Sequence, residues 1–239
     1  MLKWYDVDCP AATGGTVSAN PTRQQAGREV TLTVTPAEGY SLSSLVVKDA
    51  SNQTVTVTNG KFIMPASAVT VTATFAKNSY DLTMATTQNG SFSLSANRAQ
   101  MGDTVTVTCT PAADYEVDTV TYNGTAISGT GNTRTFTMPA QDTTVAVTFK
   151  EKKYAITVQN DGHGTVTRGG STVTGTTEIG NVTPVTLKAE NSTGYAFDHW
   201  AITTDTATQA TVNGTTVTLT GGEQSVACNP HSNLTVPLR

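Results

Sequence analysis

Apolar and polar residues alternate along most of this chain, in short bursts broken by Gly, Asn and Pro. Tyr5, Val7 and Cys9 are spaced by Asp6 and Asp8; Val30, Leu32 and Val34 are spaced by threonines; Val69, Val71, Ala73 and Phe75 close the first stretch in the same way. A period of two is the mark of a strand with one face on a core and the other in water. No long window places apolar residues at i, i+3, i+4 and i+7, so few helices are expected. Gly14-Gly15, Asn59-Gly60 and Asn89-Gly90 read as turns, the Asn-Gly pairs as type I′ hairpins that need positive φ. Pro36 and Pro111 end strands, because proline has no N–H to give to a ladder. In Gly39-Tyr40-x-Leu42-x-x-Leu45 the i, i+3 step breaks the alternation and predicts a β-bulge.

The bursts recur. Tyr5 returns as Tyr80 and Tyr154, Gly15-Thr16-Val17 as Gly90-Ser91-Phe92 and Gly164-Thr165-Val166, and Met64-Pro65-Ala66 as Met138-Pro139-Ala140. The Tyr40 segment returns as Asp114-Tyr115-Glu116-Val117 and as Gly194-Tyr195-Ala196-Phe197. A fixed period of about 75 residues is the signature of a repeat array. The expectation is an all-β chain of three tandem small β-sandwich or β-grasp-like modules, end to end, each of six or seven short strands. Their boundaries are placed at residues 5–77, 78–152 and 153–239.

The order Tyr-x-apolar, Gly-Ser/Thr-Val/Phe, Gly-x-x-Val-Thr, Pro-Ala-x-Gly/Asp-Tyr, Phe-x-Met-Pro-Ala and Val-x-Val-x-x-x-Phe resembles the divergent internalin-type B-repeat, also called the bacterial repeat domain. It covers modules one and two nearly end to end and module three as far as Trp200. The resemblance implies a tandem β-module of large secreted or wall-attached bacterial proteins. It brings no catalytic residues to carry over.

Charge narrows the partners. The net charge is −4 and 13% of residues are charged, whereas nucleic-acid binders carry a clustered basic face. The basic run Lys150-Glu151-Lys152-Lys153 falls between modules and reads as a solvated linker. No apolar run approaches the roughly 20 residues needed to span a bilayer as a helix. The repeat begins at Tyr5 with no leader ahead of it, so the chain is read as an excised piece of a longer protein with neighbouring domains, extracellular or on the bacterial surface, and monomeric.

Module three departs from the pattern. No Met-Pro follows Val217-Thr218-Leu219, and Leu234, Val236 and Leu238 are expected to supply the last strand. All three histidines, His163, His199 and His231, lie in it. Terminal repeats are often atypical because they cap an array; enlarged loops can equally form a binding face. Cys228-x-x-His231 has ligand spacing but is a single pair, where structural zinc takes four ligands, so neither metal nor cofactor is expected. No Gly-x-Ser-x-Gly nucleophile turn occurs, and modules one and two have no histidine, so no catalytic residues are assigned. Trp4, outside the repeat, Tyr122, with no aromatic counterpart in the other modules, and His163 and His231 are the candidate ligand-binding residues. Tyr40, Tyr115, Tyr195 and Trp200 fit core positions.

These readings converge on a non-catalytic stalk or display segment, with adhesion as a further role. The alternative is a binding module for a host glycan or host protein with its site in the module-three loops; a phage or appendage fibre component is a weaker reading. Cys9 and Cys109 occupy slots filled by Met84 or Val158 and by Val34, so they read as small core hydrophobes rather than a disulfide framework. Non-reducing mass mapping is expected to find no Cys9–Cys109 bond.

Overall fold

The structure is a computed structural model that describes residues 3–159, 162–180, 184–203, 209–220 and 226–234. Every named element is a strand, and the strands fall into two sheets per repeat. Module one runs β1 (Trp4–Asp8), β2 (Gly15–Asn20), β3 (Arg23–Gln25), β4 (Glu29–Pro36), β5 (Tyr40–Asp49), β6 (Thr54–Val55), β7 (Lys61–Ile63) and β8 (Val69–Lys77). Module two repeats the series as β9 (Ser79–Met84), β10 (Gly90–Leu94), β11 (Arg98–Gln100), β12 (Thr104–Pro111), β13 (Tyr115–Tyr122), β14 (Thr125–Ala126), β15 (Thr133–Thr137) and β16 (Thr143–Glu151). Module three has β17 (Lys153–Val158), β18 (Gly164–Arg168), β19 (Ser171–Thr172), β20 (Gly175–Gly180), β21 (Val185–Asn191), β22 (Tyr195–Thr203), β23 (Gln209–Asn213), β24 (Thr216–Thr220) and β25 (Val226–Leu234).

In module one the order β3-β1-β8-β5-β6 forms one sheet and β2-β4-β7 the other. The first and last strands run parallel, with Val7 opposite Val69. Leu82 stands opposite Thr143 and Ile156 opposite Val226 in the same way. All the other pairings are antiparallel. Of the two expected module forms, the two-sheet sandwich is the one built.

The alternation seen in the sequence decides which side chains meet between the sheets. Val30, Leu32, Phe62, Met64 and Val71 are buried in module one, and Val105, Val107, Phe136, Met138 and Val145 take the matching places in module two; Thr143 stands buried where Val69 does, and Cys109 is buried where Val34 is half-buried. The intervening threonines face out and pair across strands, Thr83 with Thr144 at 2.9 Å and Thr119 with Thr148 at 2.6 Å. Such pairs contribute a few tenths of a kcal/mol, up to about 1, each. The predicted bulge is present in all three modules: the register slips between Leu42 and Ser44, Val117 and Thr119, and Phe197 and His199.

The Met-Pro-Ala step has a backbone reason. Met64 donates its N–H to Arg28 O at 2.9 Å and accepts from Gly27 N–H at 2.8 Å. Met138 does the same with Asp103 and Gly102. Gly27 and Gly102 have φ of 78° and 88°, a conformation that costs glycine little. Each methionine side chain is 1% exposed, so the clasp pins a large core residue. Proline follows where the ladder no longer asks for an N–H.

Gly90 has a different reason. Asn59-Gly60 forms the expected turn, both residues at positive φ, but at Asn89-Gly90 only the asparagine is left-handed. A Cβ on Gly90 would come within 2.7 Å of the Phe149 ring and 2.8 Å of Thr110 O; one on Gly15 would come within 2.5 Å of Phe75. These glycines are flat seats for the phenylalanine of the last strand.

Module three has nine strands among the described residues rather than the six or seven expected, and its last strand lies elsewhere than expected. Its last strand is β25, reached eight residues before Leu234, and Val236 and Leu238 lie outside the described residues. Cys228 and His231 are therefore strand residues, opposite Val158 and His199 respectively. The pairing that decides this is with β17 and β22, which no local spacing reveals.

Replacing Met138 with Ala is expected to cost about 2–5 kcal/mol of module-two stability, read by chemical denaturation. Gly90→Ala is expected to destabilise by about 1–3 kcal/mol through overlap with Phe149, and Phe149→Leu to relieve part of that loss in the double variant.

Candidate functional site

The four candidate residues stand on three different modules. Trp4 opens β1 opposite Gln25 and is 50% exposed. Tyr122 ends β13 and is half-buried, its ring stacked on Phe136 at 4.8 Å and 9°. The sequence places it at the surface for want of an aromatic counterpart; in the fold Phe136, inward on β15, supplies the packing partner. His163 stacks on Tyr195 at 4.1 Å and 6°. His231 lies on β25 opposite His199, three residues along that strand, or about 10 Å, from the residue opposite Tyr195. The pockets beside Thr87, Lys61 and Asn132 are lined by none of the four.

His163 occupies a slot that recurs. Gly14 O, Asn89 O and His163 O accept from Ala37, Ala112 and Ser192 N–H at 2.9, 2.9 and 3.0 Å. In the next turn Tyr40, Tyr115 and Tyr195 N–H each donate three residues back, at 3.0–3.2 Å. In module one the slot is bare, and a Cβ on Gly14 would lie 2.5 Å from the Tyr40 ring. The His163 ring fills the same place over Tyr195. The modules share these positions in sequence, and the fold brings the residue before the shared glycine over the shared tyrosine.

Reactive chemistry is sparse among the described side chains. His199 Nδ1 and Asp198 Oδ2 are 2.8 Å apart on neighbouring, exposed residues. Beside them Trp200 is buried, its indole N–H without a hydrogen-bond partner among the described residues. No group of three or more His, Cys, Asp and Glu side chains comes together among the described residues. Cys9 and Cys109 are free thiols. Burial pushes both thiols up, helped at Cys9 by the Asp8 carboxylate and opposed at Cys109 by Arg134. A raised thiol holds less thiolate at neutral pH, the opposite of an activated nucleophile. Arg134 is itself buried, donating to Gly131 O and Thr133 O. No helix in the described residues is long and apolar enough to cross a membrane.

The linkers carry geometry that repeats. Asn78 N–H donates to Gly39 O and Lys152 N–H to Asp114 O, both at 2.8 Å. Met101 N–H donates to Asn78 O at 3.0 Å, and the Met101 sulfur lies against Gly39, where a side chain would have no room. Gly39 and Asp114 are both left-handed, at φ 76° and 66°.

A search of curated proteins finds no match. Among solved structures the chain is similar to the Bacillus anthracis TIE protein, at 9% identity and TM-score 0.34, covering 96% of this chain and 58% of that one. It is similar also to the pilus adhesin SpaC from Lactobacillus rhamnosus GG in its open conformation, at 10% identity and TM-score 0.26, covering 100% and 44%. A bacterial adhesin from Mobiluncus mulieris, containing intramolecular disulfide, isopeptide and ester bond cross-links, matches at 11% identity and TM-score 0.27, covering 93% and 99%. The chain thus spans about half the length of the first two, and likeness at this level carries no statement about activity. The model of the divergent InlB B-repeat domain matches three times in tandem, at residues 5–79, 80–153 and 154–229. With the bulge and tyrosine turn in place across these three spans and the clasp shared by the first two, the chain belongs to the divergent InlB B-repeat family.

Proposed function

We propose that this chain is a non-catalytic spacer in a bacterial surface or secreted protein, a stalk that holds neighbouring domains apart and displays them outside the cell. The observation that carries the reading is what repeats and what does not. Backbone bonds and core residues recur from module to module: the Gly27 and Gly102 clasps, the Tyr40, Tyr115 and Tyr195 turns, the Asn78 and Lys152 linker bonds. Histidines do not recur. A repeated enzyme would be expected to repeat its reactive groups.

Short pinned linkers suit a stalk. One residue, Asn78, separates β8 from β9, and its N–H and C=O are both bonded, to Gly39 and to Met101. A linker with its main chain so engaged bends less than a free coil. Adhesion by a host glycan or host protein is the second reading. It is favoured by the concentration of His163, His199 and His231 in module three.

Small-angle scattering is expected to give an elongated particle of about 90 Å. Two glycines inserted after Asn78 should shift the profile toward a bent ensemble; a compact globule would count against the stalk. Glycan and host-protein panels separate the two readings. The stalk predicts no retained ligand on the full chain, whereas binding lost in a His163→Ala variant of unchanged melting temperature would favour the module-three site.

A further inference from the structure

We propose that the free edge of β15 in module two accepts a strand from a second copy of this chain, joining two molecules through a continuous antiparallel sheet. The observation is a difference between modules that share a fold. The sheet built on β4 has three strands, β2-β4-β7, and its counterpart in module two has three, β10-β12-β15. In module three the same sheet has five, β19-β18-β21-β24-β23. The added β23 lies on the outer edge of β24, with Gln209, Thr211 and Asn213 opposite Thr220, Thr218 and Thr216.

Strand β15 is the counterpart of β24, and its pattern is the same. In module two the ladder between β12 and β15 is bracketed by Cys109 N–H to Asn132 O and Met138 N–H to Asp103 O, both 2.8 Å. Antiparallel pairs alternate between bonded and unbonded, so Arg134 and Phe136 turn their main chain toward β12. Thr133, Thr135 and Thr137 turn theirs away. In module three Ala189 N–H to Thr215 O sets the same phase, and Thr216, Thr218 and Thr220 present their outward groups to β23. Module three therefore shows, within this chain, what the edge of such a strand receives.

Natural edge strands are blunted by extreme shortness, lysine, proline or a bulge. The β7 edge of module one is blunted: it is three residues long, and Lys61 exchanges both main-chain bonds with Thr58 at 2.8 and 3.0 Å. Strand β15 has five residues, Thr-Arg-Thr-Phe-Thr, with no proline or lysine, and its arginine is buried on the inner side. Among the described residues only Thr133 O on that edge is engaged, by Arg134 at 3.1 Å.

The occupant follows from symmetry. Paired antiparallel about a two-fold axis through Thr135, one β15 sets its Thr133 opposite Thr137 of the second copy and Thr135 opposite Thr135. All three outward residues then fall in bonded pairs, and the threonine side chains meet threonine, as Thr104 meets Thr137 and Thr108 meets Thr133 on β12. A contact of this isologous kind is the commonest route to a dimer. Five residues a side make a small interface, so association is weak and set by concentration. The monomer expected from the sequence alone is the low-concentration limit.

Sedimentation equilibrium of the full chain up to about 1 mM tests this. The wild type is expected to shift from monomer to dimer. Thr135→Pro is expected to stay monomeric with an unchanged melting transition, because the N–H it removes is unused within the module. A wild type that stays monomeric throughout, or a Thr135→Pro variant that dimerises as well as wild type, would overturn the proposal. Hydrogen exchange of the wild type guards against a variant that does not fold. The Thr135 and Thr137 amides should slow as concentration rises, while the exposed Ile63 amide at the β7 edge should not; concentration-independent exchange at Thr135 sinks the idea.

Discussion

The parallel pairing of the first strand of each module with its last is the constraint on which the rest depends. Val7 beside Val69, Leu82 beside Thr143 and Ile156 beside Val226 each join residues more than sixty apart in sequence. Parallel strands need a long crossover, and here the whole remaining module is the crossover. Closing so long a loop is entropically costly and must be offset by the core it creates. Once formed, the pair sets β8 and β16 centrally in their sheets, and the chain passes from one module to the next through a single residue, Asn78 or Lys152. Insertions elsewhere are tolerated, because they leave this pair in place. Module three carries extra strands and still closes in the same way.

Within that frame a few residues have fixed duties. Gly15 and Gly90 give the last strand's phenylalanine a flat seat, and the Gly27 and Gly102 turns clasp Met64 and Met138 at both main-chain atoms. The tyrosine turn tolerates glycine, asparagine or histidine in the covering slot, because what the turn requires there is a carbonyl. These are demands of packing and hydrogen bonding, and they explain why core residues recur while polar side chains drift. The same drift leaves one module with two covered sheet edges and another with a bare one.

A repeat array makes its neighbours' edges matter. A strand added in module three and missing in module two turns an internal element into an external opportunity. The threonine face beside that edge is neutral and β-branched, which suits pairing with more of the same. Charge that would repel a second copy lies elsewhere, in exposed pairs such as Arg98 with Asp81 and Lys150 with Glu116 that contribute little to stability.

Alternation and repetition in the sequence determined a great deal: the strands, the three-fold period, the bulge after Tyr40, the inward places of Val30, Val105 and Met138, and the family. These are local or periodic properties, written in side-chain order by the two-residue pleat. Tertiary structure decided what no local spacing carries. It drew the last strand of module three to Val226–Leu234 and placed His163 on Tyr195 and Tyr122 on Phe136. It also decided which edges are covered. Strand pairing is a contact between distant segments, and alternation says which face of a strand is buried but not which strand lies beside it.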